Sequence, residues 1–231
     1  KIPLLVWAAA CFFLGSMSFL SVRRVSSREE EVIKPDFASW IETLKSLRLY
    51  IPGFAFGGAC WAITVYYAPS LLNHKFIVPL GQTGLYLAFW IGLGTVITYF
   101  FGFLSRKFGR FKVSLFSIFG ATLFLFLLGA APLKEVAAAS LLFYGTFLFL
   151  IYPSFQSSVG NEVPAKNQAL AFSLTANVQM IGGAIVALIA GFLSDKFGIN
   201  SPFLLLAVLG AFVFIFYLFL KPSPAENSKE K

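Results

Sequence analysis

Charge is what this chain has least of. Only 12% of its 231 residues are Asp, Glu, Lys or Arg, against about a quarter in a soluble domain. A soluble fold would need a charged surface that this composition cannot supply. A single histidine, His74, falls in a loop, so no metal site is expected. The two cysteines, Cys11 and Cys60, both sit inside apolar stretches, where small packing residues are expected and a disulfide is not. No Asn-x-Ser/Thr sequon occurs. All ten acids lie in loops or at the ends of apolar stretches, and no Lys, Arg, His, Asp or Glu lies in the middle of one. Ion and proton paths usually employ buried ionisable groups, so this chain offers no proton carrier. The absence of paired intramembrane acids and histidine clusters argues against a membrane-embedded enzyme. No cofactor is expected.

What is present is apolar surface. The chain is 58% hydrophobic, and phenylalanine alone occurs 29 times. A membrane span needs about 20 mostly apolar residues. Seven segments qualify: 2–22, 50–72, 82–105, 111–131, 136–158, 168–193 and 200–220. Lys and Arg divide unevenly between alternate loops, 14 on one side and 4 on the other. The richer side is expected to be cytoplasmic. That places Lys1 outside and the polar tail 221–231 inside. The net charge of +8 then reflects membrane topology, and no nucleic-acid partner is expected. The chain opens on Lys1 and enters an apolar span at once, without a signal-peptide layout, so it reads as a piece of a longer protein. The one long hydrophilic connection, 23–49, begins with mobile charge. It ends in Phe37, Trp40, Ile41, Leu44 and Leu47 at helical spacing, opposite Glu42, Lys45 and Arg48. This predicts an amphipathic helix on the inner membrane face, with the lipid bilayer as its partner.

The most informative pattern is a near-duplicate. Residues 102–109 read Gly-Phe-Leu-Ser-Arg-Lys-Phe-Gly, and residues 191–198 read Gly-Phe-Leu-Ser-Asp-Lys-Phe-Gly. Seven of eight positions match, 89 residues apart. Three spans separate the two turns, and an odd number of crossings puts them on opposite sides of the membrane. This is the signature of an inverted-topology repeat. Gly109 and Gly198 fit the helix ends that such turns require. Arg110 suits the headgroup region of the inner face.

Segment 102–112 resembles the loop motif Gly-x-Leu-x-Asp-Arg-x-Gly-Arg-Lys of the major facilitator superfamily of transporters. The second copy, Gly191 to Gly198 with Pro202 beyond it, resembles the family's turn between helices eleven and twelve. Segment 23–49 resembles its central loop. The resemblance implies an all-α membrane protein. Residues 1–22 would be a helix preceding the central loop, and 50–220 the six-helix C-terminal half-bundle of two inverted three-helix units. An N-terminal helical half would be the missing partner. The motif's acid position holds Arg106, whereas Asp195 occupies the matching place in the second copy, so the family's latching role is not carried over to the first loop. The implied activity is alternating-access transport of a small organic solute.

Polar and aromatic residues inside the spans are the candidate solute contacts. Trp61, Thr64 and Tyr67 share a helical face. Tyr144 and Tyr152 lie two turns apart, Ser173 and Asn177 one turn apart, and Trp90 stands in the third span. Such faces suit a neutral or amphipathic solute. Taken singly, each residue is better explained by packing between membrane helices. Asn177 is the strongest single candidate, because an unpaired amide in hydrocarbon is costly and needs a partner or water. Gly53 with Gly57, and Gly183 with Ala187 and Gly191, are small residues at the spacing that lets helices approach closely. Glu162 to Lys166 read as a solvated turn. Two other classes fit seven spans less well. A heptahelical receptor leaves the repeat unexplained, and a light-driven protein lacks a lysine in its last span.

Overall fold

In the computed structural model the described residues are 12–13, 16–17 and 37–220. The expected span 2–22, apart from helical turns at 12–13 and 16–17, the charged start of the central loop and the tail 221–231 lie outside them. The description below concerns the unit that begins at Pro35.

The described residues of that unit are helical. α1 spans Phe37–Leu47 and α2 spans Ile51–Ser70, with Pro52 in its first turn. A missing N–H costs nothing there. α2 runs on through a π-helical turn, Leu71–Lys75. α3 covers Leu80–Tyr99, α4 Phe101–Phe108, α5 Arg110–Ala130, α6 Lys134–Glu162, α7 Gln168–Phe197 and α8 Ser201–Phe219. Five of these helices are long and apolar enough to cross a membrane. α1 and the helix from Ile51 to Lys75, bent by 80° at their junction, meet that test together, which makes six if the pair is one span.

One expected span is broken. Segment 82–105 divides at Phe100, whose N–H bonds back to Ile97 O at 3.0 Å. The Thr98 hydroxyl sits just before the break. It lies 2.9 Å from Gly94 O and 3.3 Å from Phe149 O on α6. A hydroxyl bonding back onto its own helix competes with the backbone ladder there, and the contact with Phe149 O ties the end of α3 to α6.

Three hydrogen bonds orient the bundle. Tyr50, before α2, donates to Glu162 at the end of α6. Arg110, opening α5, donates to Ser157 O, also late in α6. Tyr217, late in α8, donates to Leu49 O. So α2 starts where α6 ends, α4 ends where α7 starts, and α5 starts where α8 ends. Each helix of the first trio runs opposite to its counterpart in the second. The packing agrees. α2 lies along α7 as α3 lies along α6, α5 meets α6 as α8 meets α2, and α5 packs on α8. Exchanging the trios maps this set of pairs onto itself. The bundle is an inverted repeat.

The duplicated turns share one backbone geometry. Gly109 has φ 82° and ψ 148°, and Gly198 has φ 89° and ψ 168°. Their N–H groups donate to Ser105 O at 3.0 Å and Ser194 O at 2.9 Å. Only glycine visits that part of backbone space readily. Among the described residues, Lys45, Arg48, Arg106, Lys107, Arg110, Lys112 and Lys166 gather at the end of the bundle that holds the first turn. Lys75, Lys134 and Lys196 lie at the other end.

Candidate functional site

The repeat extends from the turns into the membrane interior. The 89-residue offset carries Trp90 onto Gln179 and Gly94 onto Gly183. An offset of 87 carries Gly58 onto Gly145 and Ala62 onto Phe149. These residues stand at close approaches between helices. A Cβ on Gly58 would fall on the carbonyl of Gln179 and 2.8 Å from its Cα. A Cβ on Gly145 would fall on the Trp90 indole and 3.0 Å from its carbonyl oxygen. A Cβ on Gly183 would sit 2.9 Å from Gly58 O, and one on Gly94 would enter the Phe149 ring. Close contact between membrane helices rests on such small residues. The expected pair Gly53 and Gly57 does not carry the α2–α7 approach. Gly53 makes room for Phe155 of α6 and the Tyr217 hydroxyl, and Gly57 has ordinary contact with the Gln179 amide. Spacing alone did not distinguish this face from that of Gly58, the next residue.

Four of the eight candidate contacts form one cluster. Trp61 on α2 and Trp90 on α3 have ring centres 5.4 Å apart, and Trp90 stacks on Tyr144 of α6 at 6.3 Å. The Thr64 hydroxyl donates to Cys60 O at 2.7 Å and lies 3.1 Å from the Tyr144 hydroxyl. Thr64, Trp90 and Tyr144 are each 0% exposed, so in this conformation they buttress the site without lining it. The Trp90 indole N–H is buried with no hydrogen-bond partner among the described residues.

Trp61, 47% exposed, and Tyr152, 46% exposed, face a cavity of about 320 Å³ between α2, α3, α6 and α7. Phe54, Phe149 and Phe155 add further aromatic wall, and Gln179 and Thr98 supply polar groups. Phe149 packs on Trp61 at 6.0 Å. Gln179 was not legible as a candidate, since a lone glutamine in an apolar run carries no motif. Its place opposite Trp90 in the repeat was the available signal. Among the described residues, no Asp, Glu, Lys, Arg or His lines the cavity.

The remaining candidates lie elsewhere. The Tyr67 hydroxyl reaches Ala187 O of α7 at 3.5 Å, a contact between helices. Ser173 and Asn177 are exposed on α7 and outside the cavity. Of the loop motifs, Arg106 and Asp195 are exposed, and Gly102 and Gly191 stand one helical stretch before the turns. A Cβ on Gly191 would meet the Tyr67 hydroxyl at 3.3 Å, whereas Gly102 faces open space. Glu162, expected in a solvated turn, accepts the Tyr50 hydrogen bond at 2.6 Å. Among the described residues no group of His, Cys, Asp and Glu could hold a metal ion.

Comparison with known sequences agrees with this geometry. The family profile of the Major Facilitator Superfamily matches residues 2–187 and 163–231. The chain belongs to the major facilitator superfamily. It is a multi-pass membrane protein. Its fold is similar to that in the in meso crystal structure of the POT family transporter PepTSo, with a TM-score of 0.55 and 20% identity. The match covers 77% of this chain and 39% of that one. The chain thus spans well under half the length of that transporter.

Proposed function

We propose that the protein moves a small, uncharged or amphipathic organic solute across the membrane by alternating access, and that the cavity between α2, α3, α6 and α7 is this bundle's share of the solute site. One observation carries the reading. A space of about 320 Å³ is walled by Trp61, Phe149 and Tyr152 and holds the Gln179 amide, with no acid, lysine, arginine or histidine around it among the described residues. Aromatic faces supply contact area, and a few fixed polar groups supply orientation. The amide makes no hydrogen bond among the described residues, so it is free to pair with a solute. A second helical bundle, the N-terminal half, completes the cavity on its open side. Rocking of the two halves then exposes the site to one face at a time. By the excess of Lys and Arg, the end holding Arg110 is cytoplasmic. The reading calls for no catalytic residue and no cofactor.

The test is uptake by the intact protein in proteoliposomes across a panel of neutral solutes. For a transported solute, Trp61→Ala and Gln179→Ala each raise the half-saturating concentration about tenfold, equivalent to about 1.4 kcal/mol of lost binding. Uptake indistinguishable from that of empty vesicles for every solute overturns transport. Full uptake by both variants overturns this cavity as the site.

A further inference from the structure

We propose that α1 is a membrane-surface anchor that seats on the anionic lipid leaflet at the basic end of the bundle. The helix buries Thr43 and Leu47 against the bundle, where it meets α7. That is the polar edge of its apolar stripe. The rest of the stripe is open: Phe37 is 80% exposed, and Trp40, Ile41 and Leu44 are each 39–40% exposed. At 100° per residue, the open stripe lies roughly a quarter-turn from the packed face, Lys45 stands at its edge beside Ile41, and Glu42 points away from it. A helix held at its side by a bundle, with an apolar stripe on a perpendicular face, has the layout of one lying along a boundary.

The bend supplies the direction. α1 and the helix from Ile51 to Lys75 meet at 80°. With α2 crossing the bilayer, α1 runs along the membrane plane. The elbow is held at both sides of the bundle, by Tyr50 on Glu162 and by Tyr217 on Leu49 O. Charge identifies the occupant. Lys45 and Arg48 flank the stripe, and Arg106, Lys107, Arg110, Lys112 and Lys166 lie at the same end against only Glu42 and Glu162 among the described acids. An apolar stripe beside a basic rim fits acyl chains beneath phosphate headgroups. A protein partner for this end would need matching acidic charge.

The experiment uses the intact protein with Cys11 and Cys60 replaced, in nanodiscs of phosphatidylcholine and phosphatidylglycerol. Nitroxide labels are placed in turn at Ile41→Cys, Leu44→Cys and Glu42→Cys. Labels at 41 and 44 are expected to collide more with oxygen than with a water-soluble nickel chelate, and the label at 42 to show the reverse. Lys45→Gln combined with Arg48→Gln is expected to lower the oxygen-to-nickel ratio at 41 at least twofold. Equal nickel access at all three positions would mean a stripe in water and overturns the anchor. Protection of 41 and 44 from both reagents would mean a protein surface covers the stripe and overturns it equally. A ratio unmoved by removing both charges overturns the anionic-lipid assignment.

Discussion

Replacing Gly58 by alanine tests the close approach on which the bundle is built. Most glycines inside helices gain from such a change, because alanine is worth about 0.5–1 kcal/mol more in a helix interior. Gly58 should behave in the opposite way. Its new Cβ would overlap the Gln179 carbonyl and lie 2.8 Å from the Gln179 Cα. Those are backbone atoms, so no side-chain rotation relieves the clash. α2 and α7 must part by roughly 1.5 Å or more to restore ordinary contact at 3.4–4 Å. Overpacking of this kind costs about 1–3 kcal/mol, and the rigid neighbour favours the upper half of that range. After the helix gain, a net loss of about 1–2 kcal/mol remains. Gly92 is the matched control, since a Cβ there meets nothing within 4 Å. Reversible denaturant titration of the intact protein in mixed micelles, followed by circular dichroism, measures both. Gly58→Ala should lower the midpoint and Gly92→Ala should hold or raise it. If Gly58→Ala proves as stable as Gly92→Ala, α2 and α7 are not in backbone contact, and the packing argued above is wrong.

Three further outcomes follow from particular contacts. Gly109→Ala and Gly198→Ala should each cost about 1–3 kcal/mol, because both residues occupy glycine-only backbone space; the same titration checks them, and a large cost at one turn with none at the other would break the equivalence of the two copies. Tyr217→Phe removes a hydroxyl that donates to Leu49 O at 2.7 Å and accepts from the orphan Gly53 N–H at 3.2 Å. It should cost about 1–3 kcal/mol and increase the spin-label mobility of a probe on α1, whereas loss of stability with α1 unmoved would show that the elbow is held by something else. A double-mutant cycle of Thr64→Val and Tyr144→Phe should return a coupling of about 0.6 kcal/mol, typical of a hydrogen bond between membrane helices; a coupling near zero would mean that the hydroxyls 3.1 Å apart do not interact.

The spans and the duplicated turns were legible because each depends on local chemistry. A run of apolar residues long enough to cross a bilayer can hardly do anything else. Glycine at 109 and 198 announces a backbone that other residues avoid. The failures are tertiary. The break at Phe100 lies beside a contact between Thr98 and Phe149 O, 51 residues away. The partner of Glu162 is Tyr50, 112 residues away. Thr64, Trp90 and Tyr144 looked like a solute face, and they carry the polar and aromatic groups such a face needs. Neighbouring helices cover them, and periodicity says which residues share a face but not what lies against it. The amphipathic helix was placed correctly in the chain, but Leu47 belongs to the bundle contact and the other four apolar residues to the open stripe.

The two halves of the repeat keep the same backbone and differ in what they put on it. Gly58 against Gln179 and Gly145 against Trp90 are the same close approach seen twice. At one copy the larger partner is an indole, buried, stacked on Tyr144 and tilted against Trp61. At the other it is an amide at the cavity wall. Side chains diverge cheaply where the backbone contact is already made by glycine, because glycine offers no surface that the opposite side chain must fit. The symmetric contacts are therefore where the bundle is held together, and under the proposed function the asymmetric side chains on them are where solutes would be told apart. On this argument, exchanging Gln179 for a tryptophan, its counterpart in the first trio, should keep the fold and fill the cavity. An intact protein that stays folded yet loses uptake after Gln179→Trp would bear this out. One that transports unchanged would show that the amide position lies outside the solute path.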